Sequence, residues 1–356
     1  MPQRSPARRR TAGGLVLLTA LATVGTLLTS PAQAASPAGR GLPAECADTE
    51  PLTCHIEVEP GTYRVTVWLG GAEAGATGVS AETRRTMVPE TVTEPGEVVR
   101  RTFTVDVRDP QGQPTDPAGE HPGLDLRFVG SAPQLAGLRV TPAPRTPQVL
   151  LIGDSTVNDQ RAEPYTGWGQ ELPQFFRDGV SVANHADSGE STQSFLDNPQ
   201  LFDALEPRVD RGDLVLIQLA HNDKTTTRDQ YRANLTEMVE RVQARDGDAV
   251  LVTPVVRRRF DGDGRLNSVA LHVTGQADLP AETRSLAQEL DVPLIDLTAL
   301  TQELVEGLGE TASRDLYLTD VNGDNTHTSV HGARTFAGLV LDELRDQRLV
   351  PGRVIR

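Results

Sequence analysis

The stretch QVLLIGDST, residues 148–156, sets the reading of the whole chain. It is a short apolar run that ends in glycine, an acid and two hydroxyls. Four later runs share its build: GVSVANHADSG (179–189), DLVLIQLAHND (213–223), DAVLVTPVV (248–256) and DVPLIDLT (291–298). Each is followed by a longer segment, and those at 229–245 and 281–290 carry helical spacing. Continuous apolar strands alternating with amphipathic helices specify an α/β protein whose parallel sheet is covered on both faces. Ligands in such sheets sit beyond the carboxyl ends of the strands. The polar tails GDST, ADSGES and AHND, with DNTH after the last strand, are therefore where chemistry is expected.

Upstream of Val149 the rhythm differs. In GTYRVTVWLG (61–70), Tyr63, Val65, Val67 and Leu69 share one face, and VVRRTFTVDVRD (98–109) alternates likewise. GLDLRFVG (123–130) and LAGLRVTP (135–142) read as further short strands. Period-two alternation with frequent Gly and Pro predicts a small β-sandwich over residues 35–140, a module that resembles galactose-binding-like domains. TPAPRTPQ (141–148) carries three prolines and reads as a stiff linker to a catalytic domain over 149–356. Trp68 is the best candidate in the sandwich for stacking on a sugar face.

Four arginines precede an apolar run from Gly14 to Leu28, and a small-residue site, AQA, ends at Ala34. That layout predicts a secretory signal peptide over residues 1–34, and with it an extracellular protein. Its removal takes four positive charges and no negative ones from a net charge of −15, leaving −19. So acidic a chain argues against nucleic acid or an anionic membrane as partner. Cys46 and Cys54 are the only cysteines, and an oxidising compartment predicts a disulfide between them.

DNTHTSVHGA (324–333) leaves two chemistries open. His327 and His331 are four apart, a metal-binding spacing on a helix. Asp324 and His327 also form an acid–base pair if a nucleophile lies elsewhere. HTSVH has Ser329 where a zincin carries its catalytic glutamate, which argues against metal. The other tails supply the rest of a serine esterase. Ser155 sits where the first strand turns towards a helix. Gly189 lets backbone approach a substrate closely, and Asn222 offers a side-chain amide. If the last turn is helical, an i, i+3 pair directs Asp324 onto one imidazole nitrogen of His327.

GDST, NHADSGEST, QLAHND and DNTHTSVHGA, taken in order, resemble the four sequence blocks of SGNH/GDSL hydrolases, most closely the rhamnogalacturonan acetylesterase branch. The resemblance runs from about Val149 to the C-terminus. It implies a flavodoxin-like three-layer α/β/α domain and acyl transfer through a serine ester, with no metal or cofactor. By that match Ser155 is the nucleophile, and Asp324 and His327 are the acid and base. Ser155, Gly189 and Asn222 form the oxyanion hole. Two positions depart from the branch: Ala220 replaces a glycine, where its methyl group is expected to narrow the oxyanion pocket, and His331 stands where proline is common.

Around this set, Asp154 is expected to support the nucleophile turn and His221 to shape the site. Trp168 is a candidate pocket wall. Arg257 and Arg258, in VVRRRFDGDGRL (255–266), suit the carboxylates of a galacturonate chain. The expected activity is removal of O-acetyl groups from an acetylated plant cell-wall polysaccharide, rhamnogalacturonan or pectin, by a monomeric secreted enzyme. The rivals are a short-chain carboxylesterase or lipase, an acetylxylan esterase, and an inactive glycan-binding protein.

Overall fold

The computed structural model describes residues 42–356, so the expected signal peptide at 1–34 lies outside the described residues. Among the described residues, eight strands precede Val149. They are β1 (Cys46–Ala47), β2 (Leu52–Ile56), β3 (Gly61–Gly70), β4 (Gly75–Ala81), β5 (Arg85–Thr93), β6 (Val98–Val107), β7 (Leu124–Ala132) and β8 (Leu135–Pro142). They form a five-stranded antiparallel sheet, β1-β2-β7-β4-β5, and a three-stranded one, β6-β3-β8. Val65, Val67 and Leu69 of β3 share one apolar core with Leu124, Leu126 and Phe128 at the start of β7, so the inward residues of the two sheets meet. Cys46 and Cys54 face each other across β1 and β2 and are joined by a disulfide.

Seven strands follow: β9 (Gln148–Gly153), β10 (Ser181–Asn184), β11 (Leu214–Gln218), β12 (Asp248–Val252), β13 (Leu294–Ile295), β14 (Tyr317–Leu318) and β15 (Asp324–Thr328). β10-β9-β11-β12-β13 form one parallel sheet, and β14 and β15 pair antiparallel beside it. The five apolar runs of the sequence are its five strands. Val149, Leu151, Leu216 and Val250 point into one layer, with Trp168 and the helix Val330–Asp346. Leu150, Ile152, Val215 and Leu251 point into the other, with the helices Arg228–Ala244 and Leu279–Glu289. This is the three-layer α/β/α arrangement, with an N-terminal sheet-rich region before it.

The proline-rich stretch 141–148 overlaps a strand at each end. Pro142 still belongs to β8 and Gln148 already begins β9. The N-terminal sheets meet the parallel sheet's layers through polar contacts, some half-buried and one fully buried. Gln148 Nε2 donates to Thr62 Oγ1 at 2.9 Å, and Thr86 Oγ1 donates to Glu171 Oε1 at 2.9 Å. Arg85, 1% exposed, sets its Nε 3.0 Å from Oδ2 of the fully buried Asp159. Among the described residues no helix is long and apolar enough to cross a membrane.

Candidate active site

The turn after β9 is built on Asp154. Its Oδ1 accepts the N–H of Thr156 at 2.9 Å and the Thr156 hydroxyl at 2.8 Å, while Oδ2 lies 3.1 Å from His221 Nδ1. Burial opposes ionisation of Asp154, but the His221 ring and the Thr156 donors outweigh it and hold the carboxyl at about 2. Burial is the largest influence on His221 and lowers its pKa against the pull of Asp154. The pair is therefore an ionised aspartate accepting from a neutral imidazole, and it ties the tail of β11 to the turn after β9. The Val157 and Asn158 N–H groups both reach back to the Asp154 carbonyl. So anchored, the turn leaves Ser155 half-buried between completely buried neighbours.

Ser155 Oγ lies 2.9 Å from His327 Nε2, and His327 Nδ1 lies 2.7 Å from Asp324 Oδ2. The helical turn expected around Asp324 is absent: residues 324–328 are the strand β15. One residue step on β14 (Tyr317 to Leu318) faces a four-residue step on β15 (Thr328 back to Asp324), so the residues between bulge out. Asp324 Oδ1 closes that bulge by accepting the N–H groups of Thr326 at 2.8 Å and His327 at 3.0 Å. The short polar side chain thus fixes its own loop, and its second oxygen is free for the imidazole. Partial burial works against ionisation of Asp324, yet the His327 ring and those two N–H groups hold it below the usual carboxylate range. His331 follows on the exposed side of the helix Val330–Asp346, whose first turn is capped by Ser329.

The other predicted residues divide. Gly189 lies beyond β10 at φ +86°, a conformation that favours glycine. Asn222, beyond β11, donates one amide hydrogen to the Glu190 carbonyl at 3.0 Å. Trp168 does not line a pocket: it is 1% exposed, and its Nε1 donates to Gln218 Oε1 at 2.9 Å within the core. Arg257 and Arg258 are not free for substrate carboxylates either. Arg257 donates to Thr326 Oγ1 at 2.8 Å and to the His221 carbonyl at 2.9 Å, strapping the β11 tail to the bulge of β15. Arg258, 6% exposed, spans Asn325, Ser313 and the Glu310 carbonyl. Ala220 is 2% exposed and belongs to the same apolar core as Leu219 and Tyr231. Two residues carried no sequence signal. Tyr165 sets its ring edge-on to His327 at 5.5 Å, and His272 meets His221 at 4.3 Å.

A model of the GDSL-like lipase/acylhydrolase family matches residues 151–335, just over half of the 356-residue chain. The chain belongs to that family. This GDSL-like acylhydrolase is a carboxylic ester hydrolase. It is 38% identical over 215 residues to the Bacillus subtilis rhamnogalacturonan acetylesterase RhgT, covering 56% of this chain and 90% of that protein. It is 27% identical over 308 residues to the uncharacterised esterase YxiM of the same organism, covering 83% of this chain and 74% of that one. The crystal structure of YxiM matches the acylhydrolase with a TM-score of 0.53 and 26% identity, over 84% of this chain and 81% of that one. Coverage that broad extends the likeness into the N-terminal sheets.

Proposed function

We propose that the acylhydrolase removes O-acetyl groups from a plant cell-wall polysaccharide, rhamnogalacturonan foremost, through an acetyl-Ser155 intermediate. The observation that carries the mechanism is the unbroken relay from Ser155 Oγ through His327 to Asp324, at 2.9 and 2.7 Å. With Nδ1–H held by Asp324, His327 Nε2 accepts the serine proton as Oγ bonds to the acetyl carbon. It then donates that proton to the sugar oxygen as the ester C–O bond breaks. A water molecule repeats the exchange: its proton passes to His327 as its oxygen bonds to the acetyl carbon, and His327 returns that proton to Ser155 Oγ as acetate leaves. Asp324 stays ionised throughout and stabilises the imidazolium.

The N–H groups of Ser155 and Gly189 and the second amide hydrogen of Asn222 are the donors for the tetrahedral oxyanion. Asn222→Ala should lower turnover by roughly a hundredfold or more. A variant that keeps the parent turnover on a small acetyl ester would remove Asn222 from that role.

The substrate assignment is supported by the 38% identity to RhgT across most of that enzyme. In the same reading the leader at 1–34 exports a monomer, and residues 35–140 and 149–356 are its two domains. Acetate release from acetylated rhamnogalacturonan and from acetylated xylan tests the substrate. Release from the pectic polymer at the higher rate is expected. Release from xylan alone would keep the chemistry and discard the pectic assignment.

A further inference from the structure

The N-terminal sheets reach the loop that carries Gly189. The segment after β6 runs from Arg108 to Gly123 and folds back on itself. The Gln111 N–H donates to the Gly119 carbonyl at 2.8 Å, and the His121 N–H donates to Asp109 Oδ1 at 2.9 Å. Arg108, 7% exposed, holds the Gly112 carbonyl from beneath. From this braced segment two contacts cross to the loop that carries Gly189. Gln113 Oε1 accepts the N–H of Ser188 at 2.8 Å, and the Thr115 N–H donates to Asp187 Oδ2 at 2.8 Å.

Asp187 and Ser188 are the two residues before Gly189. On the other side, the Asp187 N–H is tied to the Gly153 carbonyl at 3.0 Å, and the Ser188 hydroxyl is hydrogen-bonded to the Asn158 side-chain amide at 2.8 Å. The loop is therefore clamped between the nucleophile turn and the N-terminal segment. Gly189 itself sits at φ +86° with open space where a side chain would be, so no packing of its own fixes the direction of its N–H. What fixes it is the placement of the peptide planes immediately upstream.

We propose that Gln113, together with the Thr115 N–H, is a positioning element for ester hydrolysis. The N-terminal sheets aim the Gly189 N–H at the oxyanion, and so complete the active site rather than merely adjoin it. This rests on the reading of Gly189 as an oxyanion donor. Gln113 touches neither substrate nor reacting atoms; it acts through Ser188. Oxyanion donors act by being held in place before reaction, and a small misplacement weakens them in the transition state more than in the ground state.

The test compares Gln113→Ala, Gln113→Glu and Ser155→Ala on 4-nitrophenyl acetate, an ester too small to touch the N-terminal region. Gln113→Ala should lower kcat by roughly tenfold to a hundredfold while leaving KM and the unfolding midpoint near the parent values. Gln113→Glu keeps an acceptor oxygen for Ser188 and should recover most of the lost turnover. If Gln113→Ala turns over like the parent while Ser155→Ala is inactive, the proposal fails and the reading of the site stands. A loss of kcat that merely follows a fall in the unfolding midpoint, without rescue by glutamate, would also overturn it. Activity persisting in Ser155→Ala would instead bring down the reading of the site.

Discussion

Ser155→Ala should abolish ester hydrolysis, lowering turnover by roughly four to six orders of magnitude while leaving the fold in place. The magnitude follows from the relay: without Oγ there is no atom to carry the acetyl group, and His327 Nε2 loses the donor 2.9 Å away. The fold should tolerate the change because the nucleophile turn hangs on Asp154, Thr156 and His221, none of which uses the serine hydroxyl. Stability should therefore move by no more than about 0.5 kcal/mol. Steady-state turnover on a small acetyl ester and denaturant unfolding measure the two halves of the expectation. More than about 1% residual turnover would require another nucleophile.

Arg85→Met should produce the largest loss of stability, about 3–5 kcal/mol, because it strands Asp159 as a buried carboxylate. Arg85 is 1% exposed and Asp159 is fully buried. Burial already pushes Asp159 above the usual carboxylate range, and Arg85 and then Arg108 oppose that push. Arg85 also donates to the Val182 carbonyl at 3.3 Å, and Asp159 accepts from Asn184 Nδ2 at 2.8 Å, so both ends of the pair are tied to β10. With Arg85 gone, the folded state holds a proton on Asp159 to higher pH than the unfolded chain does. Stability then falls as pH rises above the unfolded value near 3.8, and the deficit shrinks on acidification. Urea unfolding at several pH values checks this. The double variant Arg85→Met, Asp159→Asn should regain part of the loss, since it removes the Asp159 carboxylate that the single variant strands. A single-variant loss below about 1 kcal/mol would show that water or another cation meets Asp159.

Much of the parallel sheet was legible because strands buried on both faces must be apolar throughout, and five such runs stand out from amphipathic helices. The convergence of Ser155, His327 and Asp324 was legible for a related reason: strand ends bring distant polar tails to one edge. Other features left no local trace. The i, i+3 approach of Asp324 and His327 suits a helix, and only the pairing with β14 makes it a bulge in a strand. Arg257 and Arg258 read as cations open to substrate carboxylates because sequence records charge but not partners, and their partners lie at residues 221, 310, 313 and 325–326. Trp168 could have faced either way. Arg85 and Gln113 carry no motif, since their meaning depends on how two regions dock.

In the strand order β10-β9-β11, β9 has its sequence neighbour on one flank and a later strand on the other. The connection from β9 to β10 contributes Trp168 and Leu172 to one layer, and the connection from β10 to β11 contributes Phe195 and Phe202 to the opposite one. The chain parts at the end of β9, the point at which open sheets of this kind hold their ligands, and Ser155 follows directly on it. For an engineer this separates two kinds of change. Altering the reaction means rewriting residue 155 and the few groups that converge on it, whereas relocating the cleft would mean rewiring the connections themselves.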